Sequence, residues 1–213
     1  MIDVHQATGV SLQAILIYAL LWVSFGLGHS LLAATPIRAR MTRLFGTGER
    51  LAYNIIALIH LALVLLIGMD LFRPAASFAL PWPVRALMLL AAIAGAIVLA
   101  FAGKSYDFGR FLGTTQWRGG VVETAMPVEP LATGGMNALV RHPLYLGVVL
   151  LLFGLADTPF RLETAIAGTL YILIGIHFEE RKLIALYGSA YAEYRRTVPM
   201  LLPRPRAALR VDR

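Results

Sequence analysis

Two clusters of polar residues, each at the end of a strongly apolar run, carry the chemistry this chain can offer. The first is Arg141-His142-Pro143-Leu144-Tyr145-Leu146-Gly147, and the second is the acidic doublet Glu179-Glu180. Pro143 suits the first turn of a helix, because its φ is fixed and the N–H it lacks would have no intrahelical partner there. A helix start of this kind exposes backbone N–H groups and the positive dipole end, which favour a carboxylate. Glu179 and Glu180 return one helical hairpin later to the same face, where paired carboxylates attract an ammonium or sulfonium and accept hydrogen bonds from ribose hydroxyls. A zwitterion with a cationic centre, such as S-adenosylmethionine, matches both halves. The same residues also fit a plainer reading, with Arg141-His142 as an interfacial anchor and Glu179-Glu180-Arg181-Lys182 as a solvated helix with its own ion pairs.

The elements that must position these groups are written in the hydropathy. Of 213 residues, 58% are hydrophobic and 15% charged, with a mean hydropathy of +0.71, a balance typical of integral membrane proteins. Apolar runs cover 12–34, 51–69, 84–103 and a double stretch, 144–156 plus 165–178, broken at Asp157-Thr158-Pro159. A span needs about 20 residues, somewhat fewer where the ends snorkel. The expectation is an all-α integral membrane protein with about five transmembrane helices. An amphipathic cytosolic helix follows over 179–198, where Leu183, Leu186, Tyr187, Tyr191 and Tyr194 share one face and Pro199 ends the element. The organisation expected is one domain: a three-helix part (1–103), a cytosolic or re-entrant segment (104–142), a helical hairpin with the C-terminal helix (143–203) and a basic tail (204–213).

Of the 19 Lys and Arg, 16 fall in segments 35–50, 104–142 and 179–213, leaving Arg73, Arg85 and Arg161 on the other side. The positive-inside rule then places the N-terminus outside and the C-terminus in the cytosol of a multi-pass protein of a bacterial inner membrane. Residues 1–11 carry Asp3 and His5 with no basic residue, unlike a cleaved leader, so the first span is expected to be retained. The net charge of +7 flanks membrane spans without an aromatic-interleaved surface, so membrane lipids, and not nucleic acid, are the expected partners. The lack of Cys excludes disulfides, thiolate metal sites and Cys nucleophiles. The scattered His residues offer no metal-ligand spacing, so no metal is expected. No G-x-G-x-x-G follows a strand, which excludes a Rossmann cofactor domain.

Arg38, Arg40 and Arg43 read as lipid-headgroup anchors, while Asn54 and His60, lying inside an apolar run, should face protein. Segment 104–142 is too long for an idle connector. Gly109, Gly113 and Gly119-Gly120 interrupt any helix there, Pro127 and Pro130 enforce extended backbone, and Thr133-Gly134-Gly135 suits a turn. It is either an interfacial loop anchored by Phe108, Phe111 and Trp117 or one wall of an active site. Candidate bases are His29, Tyr106 and Asp107.

The run from Leu131 through Thr133-Gly134-Gly135-Met136-Asn137 to Arg141-His142-Pro143-Leu144-Tyr145-Leu146-Gly147 resembles the cofactor motif of the isoprenylcysteine carboxyl methyltransferase and phospholipid N-methyltransferase superfamily. Glu179-Glu180-x-x-Leu183 with Tyr187-Gly188-x-x-Tyr191-x-x-Tyr194 resembles its C-terminal signature. The likeness covers residues 129–203. The first half is similar to the methanethiol S-methyltransferase and NnrU-type branch, through His29-Ser30, Arg38, Glu49-Arg50-x-x-Tyr53 and Phe111-Leu112-Gly113-x-x-Gln116. The resemblance implies that Pro130, Leu131 and Asn137 line S-adenosylmethionine, that His142, Pro143 and Tyr145 meet its methionyl or adenosyl part, and that Glu179 with Glu180 holds its polar groups. Glu129 and Asn137 stand where family members often carry His and Tyr. Gly175 stands where the prenylcysteine enzymes hold the substrate carboxylate with Arg, which argues against that substrate.

The expectation is therefore a membrane-embedded S-adenosylmethionine-dependent methyltransferase acting on an apolar or small-molecule acceptor, a thiol or a lipid-like compound. The alternatives are a phospholipid N-methyltransferase, a non-catalytic NnrU-like accessory or sensor, and a membrane reductase that binds a nicotinamide.

Overall fold

The computed structural model describes residues 9–104, 106–122 and 127–203. The basic tail 204–213, Asp3 and His5 lie outside the described residues. Among the described residues every regular element is helical: α1 (Leu12–Ala33), α2 (Thr35–Phe45), α3 (Glu49–Leu71), α4 (Trp82–Gly103), α5 (Phe108–Leu112), α6 (Thr114–Gly119), α7 (Pro143–Gly154), α8 (Pro159–Tyr187) and α9 (Ser189–Thr197). Four stretches are long and apolar enough to cross a membrane: α1, α2 with α3, α4, and α8. The fifth apolar helix, α7, has 12 residues, a rise of about 18 Å against a hydrocarbon core of about 30 Å. The protein is an all-α, multi-pass membrane protein.

The solvation of α1 shows why the bilayer is required. Leu12, Leu16, Leu20, Val23, Leu27 and Leu31 form one stripe and each is more than half exposed, while Ala14, Tyr18 and Phe25 are buried on the other side. A soluble helix turns its apolar stripe inward. Here the large apolar side chains face out, which only a lipid solvent favours, and the helix satisfies every internal backbone group itself.

The chain forms two compact units. The first comprises Met1–Leu80, Tyr106–Val128 and Ala156–Gly168; the second comprises Pro81–Ser105, Glu129–Leu155 and Thr169–Arg213. In the first, α1 packs along α3. Tyr18 lies directly against Gly68, where any Cβ would collide with the ring, and its hydroxyl pairs with Thr164 Oγ1 at 2.8 Å. The polar residues inside these helices do face protein. His60 Nε2 meets Ser24 Oγ at 3.2 Å, and Asn54 Nδ2 donates to the carbonyls of Phe111 and Leu112 at 3.0 and 3.1 Å. Segment 104–122 is broken by Gly113 (φ 88°) into α5 and α6, with Phe108, Phe111 and Trp117 exposed.

In the second unit α4 and α7 are in close contact, and three glycines make it possible. A Cβ at Gly95 would lie 2.7 Å from the Gly147 carbonyl, one at Gly147 would lie 2.7 Å from Leu99 Cγ, and one at Gly154 would overlap Ala92. Small residues let helix backbones approach in lipid, where dispersion replaces the hydrophobic effect as the driving force.

Two expectations are corrected. Arg38 is not a lipid anchor: it ion-pairs with the buried Glu49 at the start of α3, because the short 3-10 turn Gly46–Gly48 reverses the chain between them. Arg40 and Arg43 remain exposed. The helix expected over 179–198 is two helices, since α8 runs on to Tyr187 and Gly188 (φ 59°, ψ −129°) separates it from α9. That conformation is essentially restricted to glycine.

Candidate functional site

The two clusters that the sequence singles out meet in the second unit. Residues 141–142 lead into α7 outside any helix; a residue before proline avoids the helical region, and His142 has φ −124° and ψ 66°. Its backbone is held by the chain after α9. The Arg141 N–H donates to the Pro199 carbonyl at 2.9 Å, and the His142 N–H donates to the Met200 carbonyl at 3.2 Å.

Glu180 is the hub. Its Oε1 accepts from Arg141 Nε at 2.7 Å and lies 2.6 Å from Arg141 Nη2, with both side chains nine-tenths buried. His142 Nε2 is 3.2 Å from the same oxygen; since an ionised carboxylate only accepts, the ring proton sits on Nε2 in this arrangement. Arg195 Nε is 3.5 Å from Oε2. Arg141 Nη1 in turn donates to the carbonyls of Arg195 (3.2 Å) and Val198 (2.5 Å). One guanidinium thus ties together the start of α7, the end of α8 and the end of α9. The buried charge is matched and hydrogen-bonded, as it must be to persist in a low dielectric.

Glu179 is placed differently. It is half-buried, and its Oε2 accepts from the Tyr145 hydroxyl at 2.8 Å. The Tyr145 ring stacks on His142, with centroids 5.6 Å apart and planes 26° from parallel. Of the acidic doublet, Glu180 is neutralised by Arg141, and Glu179, among the described residues, meets a neutral phenol. The doublet therefore presents one carboxylate's charge beside two stacked rings.

The other cofactor candidates lie along the backbone of the same unit. Asn137 is buried in the 3-10 turn Gly135–Ala138; its Nδ2 donates to the Ala132 carbonyl at 3.1 Å, and its own carbonyl accepts from the Tyr194 hydroxyl at 2.7 Å. Tyr187 donates to the Glu129 carbonyl at 2.8 Å, which fixes the extended stretch that carries Pro130 (exposed) and Leu131 (half-buried). Pro143 is buried at the first position of α7.

Tyr191 is a group the sequence offered on a helix face and in the C-terminal signature, but not as a site residue. It is 1% exposed, and among the described residues its hydroxyl makes no hydrogen bond, with Arg141 its nearby cation. Burial, then the neighbouring Glu180 charge, push its pKa up to about 12, only partly offset by Arg141. The spacing Gly188-x-x-Tyr191-x-x-Tyr194 was a usable signal, because it sets both tyrosines on one side of a short helix whose start is fixed by glycine.

The candidate bases all fall in the first unit. His29 Nε2 is 2.5 Å from the Tyr53 hydroxyl. The Asp107 carboxylate accepts from the Arg110 N–H at 2.8 Å and so caps α5. Tyr106 is exposed. Tyr53 is the partner of His29 that was not singled out as a site residue, although it stands four residues after Glu49 in the segment quoted for the resemblance. Among the described residues no group of three or more His, Cys, Asp or Glu forms a metal site.

Fold and site together define a class, a multi-pass helical membrane protein with an ion-paired polar site at its helix ends. Comparison with known proteins specifies it further. The chain is 33% identical to methanethiol S-methyltransferase 2 of Bradyrhizobium diazoefficiens, over 99% of this chain and 81% of the relative. It is 30% identical to a methanethiol S-methyltransferase from a Pseudomonas species, over 95% and 78%, and 33% identical to one from Mycobacterium tuberculosis, over 91% and 80%. The chain belongs to the methanethiol S-methyltransferase family. No family model and no solved structure matches it.

Proposed function

We propose that this protein is an S-adenosylmethionine-dependent methyltransferase that methylates a small thiol at a bacterial inner membrane. The observation that carries the reading is the meeting of Arg141, His142 and Tyr145 with Glu179 and Glu180 within hydrogen-bond distance. The residues fit the donor chemically. Glu179 offers an uncompensated carboxylate to a cationic centre, and the stacked faces of Tyr145 and His142 suit a positively charged, weakly hydrated group. The start of α7 offers N–H groups to a carboxylate.

In this reading Glu179, His142, Pro143 and Tyr145 hold the donor, with Asn137, Leu131 and Pro130 along its edge. Arg141 and Glu180 keep these groups in place. When bound, the donor would supply a methyl group activated on a sulfonium sulfur, open to displacement by the acceptor thiolate with the thioether as leaving group. The chain's contribution is orientation and exclusion of water. The thiol proton is lost to water or to a base; of the candidate bases, His29 is bonded to Tyr53 and the Asp107 carboxylate caps a helix. The relatives' shared name favours a thiol acceptor over a lipid amine, and Gly175 offers no guanidinium to a prenylcysteine carboxylate. The charge distribution sets the C-terminus in the cytosol, on the side where the donor is made.

Calorimetry with S-adenosylmethionine tests the site. The expected result is binding by the wild type and loss of binding in Glu179→Ala and His142→Ala at an unchanged elution profile in detergent; equal affinity in both variants would falsify the assignment. Transfer of labelled methyl to alkanethiols but not to extracted lipids is expected. Labelled lipid would identify a phospholipid enzyme, and no acceptor of either kind would favour an accessory role.

A further inference from the structure

We infer that the Tyr191 hydroxyl is a binding group for the nucleoside part of the methyl donor, an inference that rests on the reading of the second unit as the donor site. A buried hydroxyl without a partner is uncommon, because it forfeits its hydrogen bonds to water and gains nothing in exchange. Arg141 stands beside the hydroxyl only as a donor, and the other neighbouring polar groups that the structure describes are engaged elsewhere. Tyr194, one turn on, donates to the Asn137 carbonyl. Arg141 turns its N–H groups to Glu180 and to the carbonyls of Arg195 and Val198. His142 faces Glu180 and Tyr145 faces Glu179. Of these side chains Tyr191 is the one with a fully buried polar atom that makes no hydrogen bond among the described residues, on the short helix that Arg141 clamps to the site.

The chemistry narrows what it meets. With its proton held up to about pH 12, the phenol is a donor at any physiological pH and needs an acceptor. Two carboxylates, Glu180 and Glu179, act on it against the one guanidinium of Arg141, so the local charge balance disfavours a further anion there. The acceptor is therefore neutral, a ribose hydroxyl oxygen or an adenine ring nitrogen, and not the donor's carboxylate, which belongs at the start of α7. A polar atom kept without a partner in the free protein and satisfied on binding is a contact that costs stability and serves affinity.

Tyr191→Phe separates this from a merely structural orphan, because the two readings move different measurements. As a binding group, the hydroxyl's removal weakens S-adenosylhomocysteine and adenosine about tenfold in calorimetry, an amount typical of one hydrogen bond. The ligand-free protein melts at the wild-type temperature or above it. Incorporating 3-fluorotyrosine at 191, which keeps the donor, retains wild-type affinity and guards against a variant that packs badly. Affinity within twofold of wild type in Tyr191→Phe overturns the inference even where Glu179→Ala abolishes binding. Should the wild type bind neither compound, the parent reading fails and this one with it.

Discussion

Glu179 and Glu180 are neighbours with opposite duties, and their variants should behave accordingly. Glu180 faces Arg141 at a nine-tenths buried position. Removing one member of a buried pair leaves the other charge uncompensated, a loss of about 3–5 kcal/mol. Arg141→Ala or Glu180→Gln is therefore expected to lower the thermal midpoint in detergent substantially and to weaken ligand binding as a consequence of misfolding. Glu179→Gln keeps the acceptor for Tyr145 and removes only a half-buried charge that no described cation pairs with, so its midpoint should stay near that of the wild type while ligand affinity falls. A midpoint that drops equally in both would show the doublet to be one structural unit. Tyr191 adds a pH dependence. Its pKa is raised from 10.0 to about 12, so above the unfolded value the unfolded chain loses its proton first and folding becomes less favourable as pH rises toward 12. That alkaline loss should be smaller in Tyr191→Phe, as followed by circular dichroism; an identical alkaline limb would mean that the phenol does not titrate with folding.

Helix ends and contacts explain which parts of this structure could be read from the chain. The apolar runs located α1, α3 and α4 to within two residues, because spanning helices need length and apolarity more than periodicity, whereas α8 extends well beyond the run at 165–178 at both ends. The juxtaposition of Arg141-His142 with Glu179-Glu180 was legible too, since a hairpin of two apolar helices has to bring its ends to one face. Arg38 was misread, because pairing it with Glu49 needs the three-residue turn Gly46–Gly48, and hydropathy carries no signal for so short a reversal. The break at Gly188 was hidden by the amphipathic pattern, which continues in phase across it. Glycine's two uses predict different outcomes. Gly154→Ala places a methyl on the Ala92 backbone and is expected to destabilise the α4–α7 pair by about 1–3 kcal/mol. Gly188→Ala meets no atom within 4 Å and is costly only through its backbone angles, by about 1–3 kcal/mol. Thermal unfolding in detergent measures both, and a neutral result at Gly154 would contradict the close backbone contact.

For the molecule as a whole, the absence of Cys makes topology directly measurable, because any introduced thiol is the only one. Arg73 is largely exposed after α3 and Arg43 is exposed in α2. Arg73→Cys is expected to react with a membrane-impermeant maleimide on intact cells, and Arg43→Cys only after lysis; the reverse pattern would invert the orientation. The exposed leucine stripe of α1 makes the same point energetically: outside a bilayer or detergent micelle, this surface has no favourable solvent.

The two backbone hydrogen bonds from residues 141 and 142 to the carbonyls of 199 and 200 set an order of events during synthesis. A ribosome that has already threaded all the apolar helices into the lipid has still to release these last residues before Arg141 can find its carbonyl partners. Competence to bind a ligand would therefore arrive late and all at once, so that a nascent chain halted before residue 198 should sit correctly in the membrane and yet retain no nucleoside.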